Sequence, residues 1–220
     1  MQARIRRLYT NLSKCYGAQQ WWPAKSPFEV MVGAILTQNT AWSNVEKAIT
    51  ALRKQSVLSP AKILALKHDE LATLIRPSGY FNQKAKRLQI YCDWFLSQGG
   101  LRGVSKIETM RLRPALLGLH GIGPETADDI LLYALDRPVF VIDAYTRRLF
   151  SRCNMITGDE SYEELRLLVE RSLNNKTQDM NEFHALIVLH AKKHCQKNPL
   201  CNGCPLMRSC QFYKNSSKGD

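Results

Sequence analysis

Four cysteines within sixteen residues near the C-terminus constrain this chain more than any other feature. Cys195, Cys201, Cys204 and Cys210 follow the spacing C-x5-C-x2-C-x5-C. Thiols this dense can fold round one inorganic centre. Zinc and an iron–sulfur cluster both accept four thiolates. Zinc sites more often use two C-x2-C knuckles and this chain has one, but the spacing alone leaves both open. Cys15, Cys92 and Cys153 lie elsewhere and read as small buried apolar residues.

The N-terminal stretch MQARIRRLYTNLSKCYG is interrupted by Arg4, Arg6 and Arg7 and does not read as a signal peptide. No stretch approaches the ~20 apolar residues of a membrane span. The expected location is cytoplasmic, nucleoid-associated, where clustered cysteines point to metal ligation over disulfides. At 220 residues, 45% of them hydrophobic, the chain can bury a core as one domain or two small ones. Its net charge of +12 favours a polyanionic partner, nucleic acid first, against the plainer alternative of a solvated basic surface.

The periodicity predicts an all-α chain. Ser26-Pro27 supplies a cap and a first-turn proline for FEVMVGAIL, an almost wholly apolar helix. A second helix runs from Trp42 to Leu52. Asn82 is placed to cap the next, in which Leu88, Tyr91, Cys92 and Phe95 recur at i, i+3, i+4, i+7, and Gly99-Gly100 stops it. Further helices are expected over Thr109–Leu117, Pro124–Leu135, Asp143–Arg152, Tyr162–Leu173 and Asp179–His194. Only PVFVID has the composition of a strand, and it is too short to found a sheet.

Leu119-His120-Gly121-Ile122-Gly123 joins two of these helices as a tight hairpin. Its glycines permit positive φ and close approach to a ligand, and its amides suit a phosphate. The plain alternative is an ordinary helix–helix turn, but Leu119, Ile122 and Ala127 stand at packing spacing round the glycines and favour the phosphate-binding hairpin. Asp143 follows the apolar run Val139–Ile142 and precedes a helix. Read cold, it is an N-cap aspartate. A carboxylate there could also stabilise a cation or orient a water. Asp128 and Asp129, within the hairpin's second helix, read as structural.

Hairpin, VIDAYTRRLF and cysteine tail, in this order, resemble the helix-hairpin-helix DNA glycosylases of the endonuclease III superfamily. The resemblance spans about Pro27 to Cys210. It implies a two-lobed all-α fold with a C-terminal iron–sulfur cluster loop. One domain, 23–132, would hold six helices including the hairpin, and the other would combine 1–22 with 133–220. It further implies a monomer that binds double-stranded DNA containing a damaged base and flips that base out. Asp143 takes the role of the catalytic acid. Gln38 is the wedge that fills the gap in the duplex, with Asn39 beside it, and Leu119, Gly121, Ile122 and Gly123 grip the backbone. The four cysteines hold a [4Fe–4S] cluster, although five residues separate the first two where the family usually has six. Lys192, Lys193, Lys197 and Arg208 present charge to phosphates near it. His184, His190 and His194 are left as packing or surface residues. Glu125 occupies the place where bifunctional members carry a lysine nucleophile, which implies a monofunctional enzyme that uses water.

Trp21-Trp22-Pro23 and Trp42 suit stacking on an extruded base, and core packing is the even alternative. WWP followed by an aromatic just after QNT, with the hairpin glutamate, is similar to the 3-methyladenine glycosylases of this superfamily. That implies a pocket of Trp21, Trp22, Pro23, Trp42 and Glu125. The chemistry agrees: 3-methylation leaves a cationic purine, which gains ~0.5–2 kcal/mol or more over an indole, and it is already a good leaving group. The expected function is excision of alkylated purines from duplex DNA. The rivals are an endonuclease III-like glycosylase and lyase for damaged pyrimidines, and a non-catalytic DNA-binding or redox-sensing iron–sulfur protein.

Overall fold

In the N-terminal segment apolar residues recur every three or four positions, and Ile5, Leu8 and Leu12 are buried along one side of α1 (Gln2–Tyr16). The computed structural model describes residues 1–19, 21–22 and 24–216. Their regular secondary structure is all helical, with no β-strand among them. No described helix is long and apolar enough to cross a membrane. The chain forms two compact units, Trp22–Arg137 and Met1–Trp21 with Pro138–Asp220. The sequence expectation was 23–132 and 1–22 with 133–220.

The unit of Trp22–Arg137 starts at the cap read from the sequence. Ser26 Oγ accepts from Glu29 N at 3.2 Å, Pro27 takes the first turn, and α2 runs Pro27–Leu36. Every residue of α2 from Glu29 to Leu36 is buried, as a helix apolar all round requires. α3 (Trp42–Lys54) follows, then the short α4 (Pro60–Ala65) and α5 (His68–Leu74), which pack on α6 (Phe81–Ser97). The start of α6 differs from expectation. Tyr80 is its N-cap, with φ +45, so Asn82 lies inside the first turn. The Ser78-Gly79 turn starts the helix early: Lys84, in its first turns, donates to Ser78 O at 2.6 Å. α7 (Gly100–Val104) and α8 (Thr109–Leu117) lead to the hairpin. α9 (Pro124–Asp129) then widens into a π turn over Ile130–Ala134.

A buried ion pair ties α8 to α9. Arg113 Nε reaches Asp128 Oδ1 at 2.7 Å and its Nη2 reaches Oδ2 at 3.0 Å, with the Asp128 side chain wholly buried. This bidentate clamp fixes the angle at which the hairpin leaves the core. Asp128→Ala removes the buried half of this pair and lowers unfolding stability by about 3–5 kcal/mol. Chemical denaturation checks this.

The other unit gathers α1, α10 (Ala144–Arg152), α11 (Tyr162–Ser172), α12 (Thr177–Lys193) and α13 (Gln211–Ser216). α12 packs on α1 and α10, and α11 packs on α1. Phe140, Phe150 and Phe183 meet in its core with ring centroids 5.7 and 6.4 Å apart. Residues 138–143 join no β-ladder, in keeping with a PVFVID run too short to found a sheet. Buried Glu170 accepts from Phe140 N at 2.9 Å and holds this run against α11.

Candidate functional site

Asp143 ends that run and caps α10. Its backbone is extended (φ −94°, ψ 178°), and Oδ1 accepts from Thr146 N at 2.7 Å. It is 8% exposed. Oδ2 stands 3.6 Å from His184 Nε2 on α12. Burial pushes the carboxyl's pKa up. The neighbouring His184 ring, with the bond from Thr146, outweighs this and holds it below the ordinary aspartate value. The result is an ionised carboxylate in a dry, prepared setting, suited to stabilising a cation or holding a water. His184 is a packing residue, one of the two places the sequence reading left for it, but that reading gave it no part beside Asp143. The ring is buried and edge-on to Phe140, and it faces the carboxylate. A lone histidine on the apolar stripe of α12 gives no local sign of a partner 41 residues away. Lys192 Nζ lies 5.7 Å over the Trp21 ring and Lys193 Nζ 5.2 Å over Tyr16, so both amines are engaged with aromatic faces.

The tail thiols converge enough to sense one another. Cys195, Cys201, Cys204 and Cys210 interact electrostatically. Arg152 Nη1 donates to Cys195 Sγ at 3.3 Å, and its carbonyl accepts from Cys210 Sγ at 3.5 Å. A hydrogen bond from Cys153 pulls the Cys210 thiol down to about 6, which favours the thiolate. Burial raises Cys201 and Cys204. His190, buried, bridges Tyr16 Oη at 2.9 Å and Cys204 Sγ at 3.9 Å. Cys153 is buried, as the sequence suggested, but it is a neighbour of this group and not merely core filling. Among the described residues no three His, Cys, Asp or Glu side chains stand in position to hold a single metal ion. The donor set is four soft thiols beside a guanidinium, which fits a thiolate-bound centre.

In the hairpin only one glycine needs its freedom. Gly121 has φ +83°, and Ile122 N closes the turn on Leu119 O at 3.0 Å. Gly123 is extended (φ −90°, ψ 176°), because Pro124 behind it disfavours a helical backbone there. Ile122 is 5% exposed, so it is the hairpin's backbone and not that side chain that remains for a ligand. Leu119 is half-buried and Glu125 is exposed in the first turn of α9.

Gln38 is bound to this hairpin. Its Nε2 donates to Gly121 O at 3.0 Å and to Thr126 Oγ1 at 2.9 Å, and its Oε1 accepts from Arg87 Nη1. Asn39, beside it, is exposed with φ +53°. Lys84 lies fully buried beneath. Its Nζ donates to Leu36 O at 2.9 Å and to Ser78 O, and burial, helped by Arg87, pushes its pKa down to about 8. One lysine thus anchors both the 37–40 loop and the turn that ends in Tyr80. Tyr80 is 65% exposed in a left-handed backbone. The sequence reading passed over it, although an aromatic directly after Ser78-Gly79 was a visible signal.

Trp22, Trp42 and Tyr133 cluster over Gly33. The indoles are edge-to-face (5.1 Å, 84°), and Tyr133 is 5.0 Å from Trp22. A Cβ on Gly33 would sit 3.4 Å from both indoles, in ordinary van der Waals contact. Trp42 Nε1 donates to Glu46 Oε1 at 2.9 Å. A recess of about 460 Å³ opens here, lined by Trp22, Trp42, Glu46, Glu29 and Arg53 among others. The edge-to-face pairing leaves no parallel slot between the two indoles, so a planar ligand would stack on an outward ring face. Trp21 belongs to the other unit. Pro23 lies outside the described residues.

Comparison with known proteins agrees with this layout. The family model described as "HhH-GPD superfamily base excision DNA repair protein" matches residues 32–175. The protein named "Putative DNA repair glycosylase MJ1434" of Methanocaldococcus jannaschii is 46% identical over 94% of this chain and 95% of its own. Endonuclease III of Thermotoga maritima is 28% identical over 88% of this chain and 87% of its own. Among solved structures, H. pylori 3-methyladenine DNA glycosylase (MagIII) bound to 1,N6-ethenoadenine has 31% identity and a TM-score of 0.76, covering 87% of this chain and 97% of that one. An endonuclease III–DNA complex shares the fold at 23% identity, with a TM-score of 0.82 over 99% of each chain. The chain belongs to the HhH-GPD superfamily of base-excision DNA repair proteins, within the endonuclease III superfamily, and is a DNA glycosylase similar to its 3-methyladenine glycosylase branch.

Proposed function

We propose that this glycosylase is monofunctional and releases alkylated purines, 3-methyladenine first, from duplex DNA. The observation that carries the reading is the aromatic recess of Trp22 and Trp42, with the Glu46 carboxylate on the Trp42 indole. Electron-rich ring faces beside a carboxylate favour a cationic purine over a neutral oxidised pyrimidine. The similarity to a 3-methyladenine glycosylase points the same way.

Asp143 faces the sugar in this reading. Its charge stabilises the cation that forms as the glycosidic bond breaks, and it holds the attacking water, with His184 keeping the carboxylate in place. Glu125 offers no amine for a Schiff base, Lys84 is sequestered by two carbonyls, and Lys192 and Lys193 sit on aromatic rings, all of which favours water as nucleophile. The backbone of Gly121–Gly123 contacts a phosphate, and Gln38, Asn39 and the exposed Tyr80 lie against the bases. Cys195, Cys201, Cys204 and Cys210 hold a [4Fe–4S] cluster, which fixes the loop that carries Lys197 and Arg208.

Parallel incubation with methylated and with thymine-glycol duplexes tests the reading. Base release from the first, with strands intact until alkali is added and no adduct on borohydride, is expected. Faster turnover of thymine glycol with a borohydride-trapped adduct contradicts it.

A further inference from the structure

Two cations, Lys84 and Arg87, project from neighbouring turns of α6, and their bonding differs. Lys84 is fully buried and bound to two carbonyls. Arg87 is half-buried and lies across the hairpin: a Cβ at Gly121 would fall 2.6 Å from its Cγ and Cδ. Its recorded hydrogen bond is the one from Nη1 to Gln38 Oε1. A guanidinium carries five N–H donors, and among the described residues no carboxylate pairs with this one. It is therefore a full positive charge, held on a backbone turn by a glycine that makes room for it, and opposed only by a neutral amide.

Gln38 is in the complementary situation. Arg87, Gly121 O and Thr126 Oγ1 occupy both ends of its amide and close the 37–40 loop on the hairpin. In that position it cannot enter a duplex. We propose that Arg87 is a latch: it holds Gln38 against the hairpin in the free protein and changes partner to a DNA phosphate on binding, which releases Gln38. The proposal rests on the reading of hairpin and loop as facing DNA. A phosphate oxygen outcompetes an amide carbonyl for a guanidinium because the bond gains charge on both sides and can be bidentate. Lys84 keeps the base of the loop fixed to α6, so the exchange is confined to the side chains at its tip.

Salt dependence of binding to undamaged duplex DNA tests this. One phosphate contact contributes about 0.9 to the slope of log K against log salt. Arg87→Met and the polar, neutral Arg87→Gln lower the slope by about that amount, and Arg87→Lys restores it. Gln38→Ala leaves the slope at the wild-type value, since it opens the latch without removing the phosphate ligand. A wild-type slope in both neutral Arg87 variants, or an equal loss in Gln38→Ala, overturns the latch while leaving the DNA-facing reading intact. Failure of the wild type to bind duplex DNA overturns both.

Discussion

Asp143→Asn leaves the protein folded and slows base release by about a thousandfold, the order of loss for one preorganised electrostatic group. The two halves of this result come from the two oxygens. Oδ1 caps α10 through Thr146 N at 2.7 Å, and asparagine caps a helix about as well as aspartate. Oδ2 faces His184, and its charge is what asparagine removes. Single-turnover kinetics, with affinity for abasic duplex as the control, separates a chemical loss from a binding loss. The folded carboxyl's pKa lies below its unfolded value, so Asp143 contributes stability above the unfolded pKa. That contribution is lost as pH falls through the folded value. Acid titration of folding should therefore show wild type losing stability relative to Asp143→Asn below about pH 4. The carboxylate stays ionised through neutral pH, so any limb in the rate profile near pH 6–7 belongs to another group.

Cys201→Ser or Cys204→Ser produces a colourless protein with little iron or acid-labile sulfide, and it melts well below wild type. The tail from Cys195 to Ser216 has few buried residues of its own, Cys195 and Leu206 being the ones recorded. A segment so poor in core needs a crosslink. Losing one is expected to cost about 3–5 kcal/mol, by comparison with other structural crosslinks, which is roughly 6–20 °C in melting temperature for a chain of this size. Elemental analysis and calorimetry read the two effects separately. Stoichiometric zinc in the purified wild type would replace the cluster with a zinc site.

The features legible from sequence are those whose cause is local. Ser26-Pro27 starts α2 because a hydroxyl and a proline act within one turn. Asp143 caps α10 for the same reason, its carboxylate accepting from Thr146 N within the first turn. Most of the misses are tertiary or too short to be periodic; α1 is the exception, fifteen residues whose apolar stripe the helix series left out. α4, α5 and α7 have five to seven residues each, too few to repeat an apolar stripe. Tyr80 displaces Asn82 as the cap because Lys84 bonds back to Ser78. His184 meets Asp143, and Gln38 meets Arg87 and Gly121, across 41, 49 and 83 residues of chain. Nothing in the spacing of either segment announces these pairs.

The reading of an aromatic recess that accepts a cationic purine, with Asp143 as the carboxylate that frees it, is tested most directly by mass analysis of the bases released from methylated duplex DNA. The account predicts free 3-methyladenine from wild type and almost none from Asp143→Asn. Release of oxidised pyrimidines in preference, or equal yields of 3-methyladenine from both proteins, would contradict it.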